Sequence, residues 1–184
     1  MMSPTWDEEE KMRFLRCLHI FLIILFSLSF AQEIPAPSCP AILNYIEENL
    51  PYCGILKNSH GFVYVDLDDE YIHKLITFIQ QDGFQEPPYF GDAGLVGAHI
   101  TVIYPEETTK YGIQEIEECG EIISFVPKDC RAVHPPRWKR IDEVYFIAIE
   151  APQLDKIREK YGLPKREYDF HITIGVKPKL AKSA

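Results

Sequence analysis

The chain has 184 residues, enough for one domain or for two small lobes sharing a core, with a sizeable interior to bury. Its 28 acidic and 19 basic side chains leave a formal net charge of −9. That balance excludes a general binder of long nucleic acid, and leaves room for a small phosphorylated ligand or for RNA held at a local basic patch.

Arg13 and Arg16 precede an apolar run from Cys17 to Phe30, and Ser29-Phe30-Ala31 supplies small residues where a signal peptidase reads. The run is shorter than the roughly 20 residues a membrane span needs. Residues 1–31 therefore read as a signal peptide, which predicts a secreted or periplasmic protein with no stable membrane span. An uncleaved signal anchor is the competing reading, and the acidic Asp7 to Glu10 allow Met12 as the start. Export gives the cysteines meaning. Cys39, Cys53, Cys119 and Cys130 remain, an even set with three possible pairings. Cys39 with Cys53 and Cys119 with Cys130 is the favoured pairing, because each pair brackets one short element. No CxxC spacing points to zinc.

Residues 32–60 read as a proline-rich linker followed by a helix from Ala41 to Leu50, with Ile42, Tyr45, Ile46 and Leu50 at helical spacing. Phe62-Val63-Tyr64-Val65 reads as a strand, and Asp68 or Asp69 can cap a following helix through Gln81. Residues 83–97 are loop-like, with Tyr89 and Phe90 placed to stack on a base or to fill an apolar gap. A helix fits within 105–120 and a strand within 121–126. The stretch from Lys128 to Arg140 then reverses the acidic trend, interleaving Arg137 and Trp138 among other basic residues; it reads as a phosphate-binding arm or a solvated charge run. A central strand over 141–149 and a short helix over 153–161 complete the reading.

Two apolar, β-branched runs carry the chemistry. Ala98 to Tyr104 and Phe170 to Val176 read as strands, and each contains the tripeptide His-Ile-Thr, at His99-Ile100-Thr101 and His171-Ile172-Thr173. Side chains two apart share a face, so each histidine lies beside its threonine while the isoleucines turn to the core. If the strands are neighbours, two imidazoles and two hydroxyls converge. Histidine is base or acid near neutrality, so a pair can divide the deprotonation of a nucleophile from the protonation of a leaving oxygen. The hydroxyls can hold the non-bridging oxygens of a phosphate.

The flanked motifs, Ala98-His99-Ile100-Thr101-Val102-Ile103 and Phe170-His171-Ile172-Thr173-Ile174-Gly175, resemble those of the two-histidine (2H) phosphoesterase superfamily, which includes 2′,5′ RNA ligase-like proteins and cyclic nucleotide phosphodiesterases. The resemblance covers roughly Gly61 to Lys179. It implies an α+β fold of two pseudo-symmetric lobes, with antiparallel or mixed sheets and the motif strands lining a central cleft. Gly175 stands where the first motif has Ile103, which would let ligand or backbone approach closely.

The expectation is thus a domain over 61–180 acting on a small nucleotide or RNA-end phosphodiester, with a 2′,3′-cyclic phosphate the favoured substrate, as a monomer without metal or other cofactor. His99, Thr101, His171 and Thr173 are its catalytic candidates; Tyr89, Phe90, Arg137, Trp138 and Lys177 are its candidates for binding substrate. A non-catalytic nucleotide-binding domain is the alternative from another class. A metallohydrolase is a third reading, although no acidic residue stands at ligand spacing from either histidine. The choice between hydrolysis and ligation stays open.

Overall fold

The computed structural model describes residues 38–87, 96–136 and 138–179. The leader segment, Tyr89, Phe90 and Arg137 lie outside them. The chain opens with helix α1 (Cys39–Asn49), which has Pro40 in its first turn and buries Ile42 and Ile46 one helical turn apart. Strands β1 (Cys53–Ser59) and β2 (Phe62–Asp66) form a hairpin. The short helix α2 (Glu70–His73) follows, its Glu70 N–H donating to the Asp68 carboxylate.

The continuous helix expected through Gln81 breaks into two 3₁₀ turns, Leu75–Phe78 and Gln80–Asp82. The run is rich in β-branched side chains, which crowd the preceding turn, and the Thr77 hydroxyl donates to the Lys74 carbonyl. The same apolar residues still face the core: Tyr71, Ile72, Leu75, Ile76 and Ile79 are buried.

The remaining elements are β3 (His99–Ile103), α3 (Pro105–Tyr111), β4 (Ile122–Ser124), β5 (Val126–Val133), β6 (Ile141–Glu150), α4 (Pro152–Lys160) and β7 (Phe170–Pro178). The fold is α+β. Its seven strands form one sheet in the order β4-β1-β2-β3-β7-β6-β5, every pairing antiparallel. The two motif strands are therefore central neighbours, where the β4-β1-β2-β3 half meets the β7-β6-β5 half. Helices cover one face of the sheet: α1 lies against β5, α2 against β7, and α4 against β3 and β4. Beneath them Leu56, Val65, Ile100, Val102, Ile147 and Ile172 are fully buried.

The cysteines pair differently from the favoured reading. Cys39 is bonded to Cys130, tying α1 to β5, while Cys53 and Cys119 are free thiols. Proximity in the chain misled here. Leu56 exchanges hydrogen bonds with Gly120 and Glu121, so Cys119 lies toward the opposite end of β1 from Cys53. The observed bond instead closes a loop spanning 91 residues, worth about 4.5 kcal/mol in the chain-entropy model. Replacing Cys39 and Cys130 together by serine is expected to cost about 2–5 kcal/mol of stability, read as a lowered melting temperature. The same change at Cys53 and Cys119 should leave melting nearly unchanged.

Candidate active site

Antiparallel pairing centred on Ile100 opposite Ile172 sets the geometry of the motifs. It puts His99 across from Thr173 and His171 across from Thr101, with all four on the face opposite the buried isoleucines. The imidazoles are diagonal neighbours, about 7–8 Å apart at the backbone. Two rows of residues then run across the open face. One carries Ile55, Asp66, His99, Thr173, Phe146 and Arg131; the other carries Lys57, Tyr64, Thr101, His171, Ala148 and Asp129.

Each motif strand bulges directly after its threonine. On β3 the register against β2 shifts between Thr101 and Ile103; on β7 the register against β6 shifts between Thr173 and Gly175. A bulge inserts one residue and breaks the alternation of faces. The open face consequently ends at the threonines, and Val102, Ile103, Ile174 and Val176 are all buried.

The two histidines are held alike. Nδ1 of His99 donates to the Gly97 carbonyl at 2.7 Å, and Nδ1 of His171 donates to the Asp169 carbonyl at 3.2 Å. Those bonds fix one tautomer and assign proton exchange to Nε2. Asp69 braces the first from behind: its carboxylate accepts the Ala98 N–H at 2.9 Å, and it sits so close to Gly97 that a side chain there would collide with it.

Aromatic rings wall both imidazoles. Phe62 and Tyr64 meet His99 edge-on at 5.6 and 6.0 Å, and Phe146 lies 4.9 Å from His171. Burial lowers the proton affinity of both rings below an ordinary histidine's. The Gly97 bond and the Asp66 charge partly oppose this at His99. At His171 the Asp169 bond opposes it, while the charges of Arg166 and His99 add to it.

Arg166, in the loop between α4 and β7, had no part in the sequence reading. Its Nη1 donates to the Thr101 carbonyl at 2.6 Å, and its guanidinium lies 4.5 Å from the centre of the Phe170 ring. It also lines a groove of 370 Å³ beside the second motif, together with Lys128, Lys165 and Tyr168 among others. A basic and aromatic run entering the second motif, Lys165-Arg166-Glu167-Tyr168, was the available signal. Nothing in the sequence tied it to β3.

The substrate-binding candidates fare unevenly. Trp138 is exposed in the β5–β6 turn, beside the Ile141–Pro178 pair. Pro178 lies at the far end of β7 from His171, about 20 Å away at the usual strand rise. Lys177 is near that same end, 3.7 Å from the Glu143 carboxylate and 5.5 Å from the Phe84 ring centre. The bulge has turned it off the motif face, so neither residue joins the histidines. Among the described residues no three His, Cys, Asp or Glu side chains gather as a metal site.

A model of the Swiss Army Knife 2H phosphoesterase domain matches residues 63–181, from β2 through β7. This chain belongs to the 2H phosphoesterase family. The match starts within β2, so the 2H domain as matched leaves out α1 and β1, the first of which the disulfide secures. No curated protein and no solved structure gives a significant match. Membership makes the protein an enzyme domain of the phosphoesterase and RNA ligase type.

Gly175 corrects one expectation about this 2H site. The space it leaves is filled by Ile79, Ile76 and Phe84, the nearest 2.8 Å from where a Cβ would stand, and not by a ligand. Gly175→Val is therefore expected to cost about 1–3 kcal/mol through overpacking while leaving the Michaelis constant unchanged. Thermal melting and steady-state kinetics on one preparation check both.

Proposed function

We propose that this protein is a metal-independent phosphodiesterase acting on a small nucleotide or RNA-end phosphodiester, and that its substrate is a 2′,3′-cyclic phosphate. The observation that carries this reading is the matched pair of imidazoles, each Nδ1 on the carbonyl two residues earlier and each beside a threonine hydroxyl. One imidazole takes a proton from water as it attacks phosphorus, and the other delivers a proton to the departing ribose oxygen. Thr101 and Thr173 donate to the non-bridging oxygens. The two halves of the sheet serve as the lobes, and the face between them as the cleft. Phe62, Tyr64 and Phe146 offer stacking surfaces for a base.

The same reading includes an exported protein, its leader over residues 1–31 removed and its catalytic domain over 61–180. The Cys39–Cys130 bond supports this, since structural disulfides persist in oxidising compartments. Comparing the mass of the mature protein with that of a chain lacking the leader tests it, and retained leader would favour an anchor.

Turnover of nucleoside 2′,3′-cyclic phosphates in the presence of EDTA is the direct assay. His99→Ala and His171→Ala should each lower the rate by about 10²–10⁴-fold. Binding without turnover by the unaltered protein would replace the enzyme with a nucleotide-binding domain. The pH profile supplies a second check. Catalysis needs one imidazole protonated and one neutral, and burial lowers the proton affinity of both. The bell should therefore centre below the 6.5 of an ordinary histidine, with activity falling as pH rises through neutrality.

A further inference from the structure

The groove beside the second motif has no part in the steps above. Its volume of 370 Å³ is within the range of small-ligand sites, and it shares a wall with the catalytic face. Asp169 lines it, and the carbonyl of the same residue holds Nδ1 of His171. Arg166 lines it too, while its Nη1 reaches the Thr101 carbonyl. Two residues of extended chain separate Asp169 from His171, about 7 Å, close to the length of one nucleotide. A chain whose end lies between the imidazoles therefore reaches the groove with its next unit.

The side chains at the groove suit such a unit. Tyr168 is 76% exposed, more than any other large apolar side chain among the described residues. A ring standing open beside a phosphodiester site is a platform for an unstacked base. Lys128 is the extra residue of a β-bulge: Pro127 faces Ile149 and Asp129 faces Ala148, so Lys128 has no partner across the ladder and is turned to the groove. Lys165 joins it from the loop before β7. Both lysines are exposed, and among the described residues neither is in an ion pair, unlike Lys57, Arg131 and Lys160.

The remaining charges decide the kind of ligand. The Asp169 carboxylate is taken by Arg131 at 3.0 Å. Glu150, Asp155 and Glu167 then face Lys128, Lys165 and Arg166, so the formal charges of the groove cancel. A polyphosphate or a free anion would gain little there. A nucleotide matches better, because it brings one negative charge at the linking phosphate, together with ribose hydroxyls and base amino groups that carboxylates can accept from.

Resting on the nucleotide hydrolysis proposed above, we infer that the groove is a second subsite. It takes the nucleotide next to the reacting end of a short RNA, with Tyr168 against its base and Lys128 and Lys165 at the phosphate that joins it to the reacting nucleotide. The formal net charge of −9 opposes a longer strand, so the contact ends at this unit. A mononucleotide fills the catalytic face and leaves the groove unused.

The test compares uridine 2′,3′-cyclic phosphate with the uridine dinucleotide that ends in the same group. The dinucleotide should be preferred in kcat/KM by about 5–150-fold, the worth of one stacked base. Tyr168→Ala, and separately Lys128→Ala combined with Lys165→Ala, should each remove most of that preference by raising KM for the dinucleotide, with kcat within about twofold of the unaltered protein. All three side chains are exposed, and an unchanged melting temperature checks that the variants fold. Equal kcat/KM for the two substrates, or a preference that survives both variants, overturns the subsite.

Binding gives a readout free of turnover. In calorimetry, the uridine dinucleotide carrying a 3′-phosphate should bind more tightly than uridine 3′-phosphate, and the variants should abolish the difference. If neither cyclic phosphate is hydrolysed while this contrast in binding holds, the hydrolytic reading falls and the subsite stands. If both cyclic phosphates are hydrolysed with equal efficiency, the subsite alone falls.

Discussion

The site depends on one short ladder, the pairing of β3 with β7 at Ile100 and Ile172. Both isoleucines are fully buried. Strand alternation then leaves the flanking histidines and threonines only the opposite face, and a slip of one residue in either strand would send an imidazole into the core. The hydrophobic effect on one side of the sheet thereby specifies the chemistry on the other. The bulge after each threonine completes the device: it returns the chain to the core at once and limits what β3 and β7 present on the open face to the two histidines and two threonines.

Beyond that ladder, side chains take over the joining of β3 to the β7 side. The carbonyl of Thr101 accepts from Arg166, and that of Val102 accepts from Arg158 at 2.7 Å. Arg158 is buried on α4, doubly bonded to the Glu107 carboxylate on α3, and also donates to the Pro164 carbonyl. It therefore fixes, through one guanidinium, the end of the first motif strand and the loop that leads to the second. A buried ion pair contributes little net stability against an apolar replacement, because desolvating both charges offsets their attraction. Its value here is positional: a planar fork with several donors can hold a strand, a helix and a loop in one arrangement, which an apolar contact would leave free to slide.

Much of the site was legible because strand alternation is local. His-Ile-Thr in a β-branched run tells which side chains share a face without knowledge of the partner strand, and the repeat suggested that two such strands meet. What resisted reading was whatever depends on a partner distant in the chain. Strand β1 was overlooked because only Leu56 of it is buried, and β5 because Pro127, Lys128, Asp129 and Arg131 give it the look of a charged loop. The disulfide joins elements at opposite ends of the sequence, where nearness in the chain says nothing. Asp66 reaches His99 only through the register of the sheet, and Arg166 reaches the site only by the packing of its loop on Thr101 and Phe170. Gly175 was read as open to a ligand or backbone and Lys177 as a substrate-binding residue, and the bulge after Thr173 turned both away from the motif face.

The aromatic walls create a problem that the motifs alone do not solve. Phe62, Tyr64 and Phe146 half-bury the imidazoles, which sharpens electrostatic contacts with a phosphate but disfavours the protonated ring. Two equal sites at such a face would share one proton without direction. The two halves differ in the residues outside the repeat. The β2 strand presents Asp66 to one histidine, while the non-repeated loop after α4 presents Arg166 to the other. In a fold whose two halves carry the same tripeptide, the unrepeated segments are where the surroundings of two like groups come to differ.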